Sequence, residues 1–552
     1  MSATVADFVV VGAGSAGCVV ANRLSENGRH TVTLLEAGPR DSSPWIHLPI
    51  GYAKTMWDKR INWAFHTEPD PNMNNRRIYW PRGKVLGGSS SINGLIAIRG
   101  QPADYDHWES QGNPGWSWNG VLPYFRKLES NVEHADDQNH GAHGPVTVSG
   151  IHAKHELIEA VIAAAESLGI RRTADFNGAS QDGVGYYHLT TRNGLRMSAA
   201  KAYLKPARKR PNLEIVTDAQ ATRVIFEGAT AIGVRFRRDG LSEELRAARG
   251  VVLCAGALQS PQLLMLSGIG PAASLKSHGI PVRVDRRTVG RNLQDHLQVR
   301  LIYRCSKPIT TNDEFNSLFG RVKIGLQWLL SRSGPLAIGI NQGGLFTTVL
   351  KGESATPDVQ FHIATLSADM AGAKPHPYSG FTLSVCQLRP TSRGLVTLAS
   401  ANPLDAPLIH SNYLDTDLDR RCITAGIKLG RRLANTAPLN GYVAAEMQPG
   451  ADVADDAGLL EFARNNGATI FHPSGTCRMS SDAEAVVDPR LRVRGVDRLW
   501  VADCSIMPTL VSGNTNLPAL MIGEQAADMI LADVAGPSPG TSRRSTEQDA
   551  NA

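Results

Sequence analysis

Apolar residues in this chain come in short unbroken runs that lead into turns of small residues, and the first run sets the pattern. Val9-Val10-Val11 passes into Gly12-Ala13-Gly14-Ser15-Ala16-Gly17, with a helical pattern behind it. A buried strand, a tight turn and an amphipathic helix in that order predict a nucleotide-binding βαβ opening. Thr31 to Leu35 predicts the next strand, ending at Glu36. Later runs predict a meander of strands over 213–216, 221–226 and 231–236, then a buried parallel strand over 250–257. Helical spacing predicts two helices within 104–129, one over 158–168, one led into by 193–204 and one over 519–531.

Other stretches change that regular picture. Residues 44–80 are rich in Trp and Pro, follow no period, and read as an irregular cover over a ligand. Between about 300 and 465 strands alternate with short helices, the mark of a second domain. There Phe315, Leu318, Phe319, Val322, Leu326 and Leu329 keep helical spacing beside Arg321, Lys323 and Arg332. Core packing is the expectation for this helix, and a lid or membrane-touching role is the alternative. Residues 533–552 are polar and rich in Pro, Gly and Ser, and are expected to be disordered.

The glycines have separate tasks. Gly12 allows the tight turn, Gly14 lacks the Cβ that would block a pyrophosphate, and Gly17 lets the helix lie close to its strand. Glu36 can accept both ribose hydroxyls of an adenosine and would repel a 2′-phosphate, so NADP is disfavoured while NAD and FAD remain. A second cradle, Gly87-Gly88-Ser89-Ser90-Ser91, lies between the apolar Val85-Leu86 and Ile92, with Leu95 and Ile96 beyond.

Composition narrows the function classes. A chain of 552 residues exceeds one hydrophobic core, and its net charge of +6 is too mild to suggest nucleic acid as the main partner. Seven cysteines without CxxC spacing read as reduced thiols. The first strand begins too early for a signal peptide, no Asn-x-Ser/Thr acceptor occurs, and no apolar run is long enough for a membrane span. A cytoplasmic, bacterial protein is expected. The histidines and acids between Glu133 and His143 lack an element to fix their geometry, so a solvated loop is expected and no metal is assigned.

The chemistry sits late in the chain. His472 stands between Phe471 and Pro473, and Asn514 lies in a polar turn before the last helix. Alone, His472 reads first as a satisfied core histidine, and the turn around Asn514 can be a mere helix cap.

Five ordered motifs resemble the glucose-methanol-choline (GMC) oxidoreductases from Phe8 to about Leu531, with the bacterial alcohol dehydrogenase branch the nearest in look. They are Gly12 to Gly17 with Glu36; Gly83 to Asn93; Gly256 to Pro261 through Gly270; His472 to Thr476; and the segment around Asn514. Gly290 to His296 also matches a stretch usual in that family.

The resemblance implies an α/β protein. A Rossmann-like FAD-binding domain with an inserted β-meander would use 1–150, 195–300 and 465–532. A substrate domain with a mixed or antiparallel sheet covered by helices would use 151–194 and 301–464. By the same resemblance FAD lies against Gly12, Gly14, Ser15, Ala16, Gly17, Glu36 and Ala37, and against Arg82, Val85, Gly87, Gly88, Ser89, Asn93, Gly94 and Leu95. Val224 would meet the adenine, Asn93, Asp503 and Asn516 the flavin side, and Ala255 and Pro518 complete the set.

His472 would be the base that removes the hydroxyl proton of a primary alcohol as hydride leaves for flavin N5, with Asn514 beside the substrate oxygen. Ile92 replaces a histidine that some relatives bond to the flavin, implying non-covalent FAD, and Asn514 replaces the second histidine of others. A quinone or other carrier is expected as electron acceptor, with an oxygen-using oxidase or a hydroxynitrile-lyase-like flavoprotein as alternatives. Peripheral membrane contact is compatible with this reading. No cluster of acids and aromatics asks for choline.

Overall fold

The computed structural model describes residues 5–135, 137–370 and 372–535. β1 (Val5–Val11) runs through the glycine turn into α1 (Ser15–Ser25) and returns as β2 (Val32–Leu35). After a stretch of short elements that includes helices at Pro102–Ser110 and Trp118–Leu128 come α2 (Glu156–Ser167) and β3 (Gly183–Tyr186), which belongs to a different sheet. The chain returns with β4 (Leu213–Val216), β5 (Gln220–Glu227), β6 (Thr230–Arg238), β7 (Leu241–Leu253) and α3 (Gly256–Leu266).

The next excursion supplies β8 (Leu297–Cys305), α4 (Leu318–Ser331), β9 (Asn341–Thr347), β10 (Val359–Ala364), β11 (Gly380–Gln387), α5 (Asp417–Ala434), β12 (Val443–Gln448) and β13 (Ala468–Thr469). β14 (Leu499–Val501) and α6 (Asn516–Ala535) close the first layer.

The first sheet has the order β4-β2-β1-β7-β6-β5, with β14 added beside β7. Its centre is parallel: Val9 of β1 lies opposite Thr33 of β2 and Val251 of β7. β5, β6 and the outer half of β7 form the antiparallel meander. Val9, Val10 and Val11 are buried, as an apolar run covered on both faces should be. α1 differs from the amphipathic expectation, since nine of its eleven residues are buried. The reason is α6, packed so closely that a Cβ on Gly523 would sit 2.8 Å from the carbonyl oxygen of Ala16.

The second sheet has the order β12-β8-β11-β10-β9-β3, with β13 beside β8, and is antiparallel throughout. Its two faces differ in kind. Leu301, Phe361, Leu383 and Val385 point to one side and share a core with Ile423 and Ile427 of α5. The alternate positions carry Gln298, Arg300, Gln360, His362, Thr382 and Ser384. A sheet face this polar, with most of its side chains buried, is the wall of a ligand cavity rather than a core.

The structure departs from the sequence pattern in two places. α4 does not pack into the core: Leu318, Phe319, Val322, Leu326, Leu329 and Leu330 are all more than half exposed, and Ile324 is its buried apolar anchor. Helical spacing identified the helix but not which side of it meets protein. The 133–143 stretch is not simply a solvated loop, because His140 is buried with Nδ1 2.9 Å from Glu129 and Nε2 2.9 Å from Asp175. Of the expected 533–552 tail, 533–535 continue α6 and the rest lies outside the described residues.

Candidate active site

One continuous cavity of about 830 Å³ runs from the glycine turn after β1 to the polar face of the second sheet. At one end α1 begins at Ser15, with Gly14 ahead of it in extended backbone. A Cβ on Gly17 would lie 1.9 Å from the carbonyl oxygen of Gly12, which is why the helix can start so close to β1. A Cβ on Gly88 would lie 2.6 Å from Gly14 Cα, so the two cradles touch through atoms that only glycine leaves free. Glu36 accepts the N–H groups of Ala13 and Gly38, both at 2.9 Å, and burial raises its carboxyl to about 7.

Most of the residues expected at a cofactor border this cavity. Gly12, Gly14, Ser15, Ala16, Glu36 and Ala37 do so at one end, and Arg82, Gly88, Ser89, Asn93, Gly94 and Leu95 along the middle. Ala255, Asp503 and Asn516 join them. Gly17, Val85, Gly87, Val224 and Pro518 stand behind the wall, and near Val224 the lining is Ala219, Gln220 and Ala221.

The polar members are fixed by their neighbours. Asp503 accepts from the Gly256 and Ser505 N–H groups, each at 2.8 Å, and from the Ser260 hydroxyl at 2.5 Å. It thereby pins the start of α3 to the late turn. Asn516 accepts the Ser15 hydroxyl at 2.8 Å, joining the starts of α6 and α1, and Asn93 accepts from Arg196 at 2.6 Å.

His472 and Asn514 meet at the far end. Asn514 Nδ2 lies 3.3 Å from His472 Nε2, and Gln360 Nε2 donates to Asn514 Oδ1 at 3.2 Å. Since Gln360 supplies a donor to the carboxamide oxygen, the Asn514 NH₂ is the end that faces His472. On its other side His472 Nδ1 is 3.0 Å from His296 Nδ1, while His296 Nε2 is 3.0 Å from the Leu388 carbonyl oxygen.

A carbonyl only accepts, so the His296 proton resides on Nε2 and its Nδ1 is an acceptor. His472 therefore carries its proton on Nδ1, and its Nε2 presents a lone pair to the cavity. Burial, with Arg389 nearby, lowers His296 to about 4 and keeps it neutral for this role. His472 is held well below 6.5 by burial first, then by His296, His362 and Arg82. Its backbone N–H donates to Asp295 at 2.7 Å, and the Tyr413 hydroxyl hydrogen-bonds the same carboxyl.

Sequence reasoning missed His296, Gln360, Arg300 and His362. The signal available for the last three was alternation, Gln298-x-Arg300 and Gln360-x-His362, polar residues every second position within strands. Among the described residues no group of three or more His, Cys, Asp or Glu side chains is placed to hold a metal ion. No helix among them is long and apolar enough to cross a membrane, and all seven cysteines are free thiols.

Family models for GMC oxidoreductases match residues 6–298 and 390–523. The chain belongs to the GMC oxidoreductase family. It is 43% identical over 531 residues to an alcohol dehydrogenase (acceptor) of Pseudomonas putida, covering 96% of both chains. It is 42% identical to an oxygen-dependent choline dehydrogenase of Brucella suis, covering 95% of both. Among solved structures, pyridoxine 4-oxidase from Mesorbium loti superposes with a TM-score of 0.86 at 32% identity, covering 95% of this chain and 98% of that one. A variant of the Aspergillus oryzae formate oxidase gives 0.90 at 29% identity, covering 96% and 98%.

This GMC oxidoreductase is an enzyme of the alcohol and choline dehydrogenase type, and FAD is its cofactor. Its residues fit a dinucleotide. A Cβ on Gly14 would meet no heavy atom nearer than 3.9 Å, leaving backbone open to a pyrophosphate at the N-terminus of α1.

Proposed function

We propose that this GMC oxidoreductase oxidises a primary alcohol to its aldehyde with His472 as the general base. One observation carries the reading: a neutral imidazole presents an unprotonated Nε2 beside the Asn514 NH₂, in the cavity that also contains the glycine cradles. FAD, when bound, supplies the hydride acceptor at N5. The residues along the two cradles, with Glu36 toward the adenosine and Asn93, Asp503 and Asn516 toward the flavin, would hold it. Ile92 also lines the cavity and offers no atom for a covalent link, which supports non-covalent binding.

The work of the protein is to move a proton and to hold a charge. His472 Nε2 takes the hydroxyl proton, and the resulting imidazolium together with the Asn514 NH₂ stabilises the alkoxide as it develops. His296 keeps the accepting nitrogen free, and Gln360 keeps the carboxamide turned the right way. In this reading 1–150, 195–300 and 465–532 form the cofactor half and 151–194 with 301–464 the substrate half.

A quinone or other carrier is the proposed acceptor, in a cytoplasmic, reducing setting supported by the free thiols. α4 flanks the cavity through Arg321 and Ile324, exposes its apolar side and carries Arg321, Lys323 and Arg332 beside it. That combination supports peripheral contact with an anionic lipid surface.

The test is anaerobic rapid mixing of the yellow enzyme with alcohols. His472→Ala is expected to slow flavin bleaching by about 10²–10⁴-fold with FAD retained. Bleaching at the wild-type rate would overturn the assignment of the base. An enzyme that no alcohol bleaches, but that splits a cyanohydrin, would be a lyase instead.

A further inference from the structure

The second sheet contains a row of side chains that the proton-transfer machinery does not use. Arg300 of β8 lies opposite Ser384 of β11, and Ser384 lies opposite His362 of β10. All three line the cavity, and they come from three adjacent strands on its polar face. His362 is buried, with neither ring nitrogen hydrogen-bonded. Among the described residues Arg300 forms no ion pair and no side-chain hydrogen bond, although burial works against its charge. The Ser384 hydroxyl is also without a protein partner among them.

Guanidinium, hydroxyl and imidazole can all donate, so the row is a set of donors awaiting an acceptor. The cavity's acids cannot fill it. Glu36 and Asp503 are its lining carboxylates among the described residues, and both are already held by backbone N–H groups elsewhere. Arg82, Arg321 and Lys374 add to the positive character of the lining. A quaternary ammonium would meet a cation here.

We propose that Arg300, with Ser384 and His362, receives a carboxylate on the substrate, so that the preferred alcohol is a short hydroxy acid. The inference rests on the alcohol-oxidising reading and deepens it. A planar guanidinium matches a carboxylate in a two-point contact that an ammonium cannot reproduce. His362 stands two residues along β10 from Gln360, the residue that orients Asn514, which is about 7 Å of strand. The His362 end of the row therefore lies within a few carbon atoms of the reacting groups, with Arg300 two strands farther along it.

Two measurements on the FAD-loaded enzyme test this. In the first, butanoate is titrated into oxidised enzyme while the flavin absorbance spectrum is followed, with butanamide as the neutral control. Butanoate is expected to shift the spectrum, and Arg300→Met to weaken that binding at least tenfold while Arg300→Lys weakens it less. In the second, kcat/KM is compared for 4-hydroxybutanoate, 1-butanol, 1,4-butanediol and choline.

The hydroxy acid is expected to lead. Arg300→Met is expected to lower the ratio of its kcat/KM to that of 1-butanol by about 10²-fold, the scale of one lost charged contact. FAD content and melting temperature of each variant separate a binding effect from misfolding. A spectrum that butanoate leaves unmoved, or a wild-type preference for choline or 1-butanol, overturns the proposal. If butanoate binds through Arg300 but no alcohol bleaches the flavin, the carboxylate subsite stands and the alcohol-oxidising reading falls.

Discussion

His472 has two neighbours that act on its two nitrogens separately, and the consequences can be measured separately. His296 accepts at Nδ1, so removing that acceptor lets the His472 proton move to Nε2 and blocks the nitrogen that must take the substrate proton. His296→Leu is expected to lower kcat/KM for alcohol by about 10–100-fold, the range for losing a group that orients a reactive imidazole. His296→Asn restores an acceptor where Nδ1 was and should recover much of the loss, whereas a merely space-filling role would favour Leu. The pH profile adds a second check. Because burial and the flanking imidazoles and Arg82 hold His472 well below 6.5, its neutral form persists as pH falls through that value. Flavin reduction is expected to lose its base only at more acid pH. An acid limb centred at 6.5 would contradict the described surroundings.

At the scale of elements, two segments carry predictions because each defied its sequence pattern. The 133–143 segment docks through His140, whose two nitrogens each face a carboxylate and are both donors. Burial opposes charge there, but the bonds to Asp175 and Glu129 outweigh it and raise His140 to about 9. A pKa raised above the unfolded value of about 6.5 stabilises most below that value and fades as pH rises through the folded one. The melting temperature is expected to fall by a few degrees between pH 6.5 and 9.5 for this reason. His140→Gln should melt lower at pH 6.5 and show a flatter pH dependence.

α4 behaves in the opposite sense, carrying outside what its spacing suggested was inside. If it rests on lipid, flotation with vesicles rich in phosphatidylglycerol will carry the enzyme up the gradient. Phe319→Ser with Leu330→Ser should weaken that at least tenfold, since each buried apolar side chain contributes roughly 1.5–3 kcal/mol. Equal flotation of the variant would remove α4 from the contact.

The whole molecule is assembled from segments far apart in the chain, and that determines what its sequence could disclose. The βαβ opening was legible because Val9 to Gly17 obeys local rules of strand, turn and helix. The meander was legible because its strands alternate. Asn514 and His472 were visible only through motif resemblance, since nothing near either residue announces that they meet. His296 was hidden inside a matching stretch with no local mark at all.

Glu524 is the clearest case of information that only tertiary structure supplies. It lies in an apolar helix, yet accepts Arg23 at both oxygens at 2.8 Å, Lys127 at 3.1 Å and the Tyr203 hydroxyl at 2.9 Å. It ties the first helix to the last. Glu524→Gln would remove the buried carboxylate of this junction, leaving Arg23 to the half-exposed Glu26 and Lys127 to Asp528, and is expected to destabilise the fold by about 3 kcal/mol in denaturant titration. A loss below 1 kcal/mol would show that the junction holds by apolar packing alone.

The second sheet keeps its scaffold and its selectivity on opposite sides of the same strands. Odd-numbered positions in β8, β10 and β11 pack on α5, and Gln298, Arg300, His362, Thr382 and Ser384 on the opposite side line the cavity, so side chains facing the cavity can be changed without disturbing the architecture that supports them. A combinatorial library confined to 298, 300, 362, 382 and 384 should yield mostly folded, yellow proteins that differ in the alcohols they accept. The same diversity spread over 299, 301, 361, 383 and 385 should yield mostly inclusion bodies.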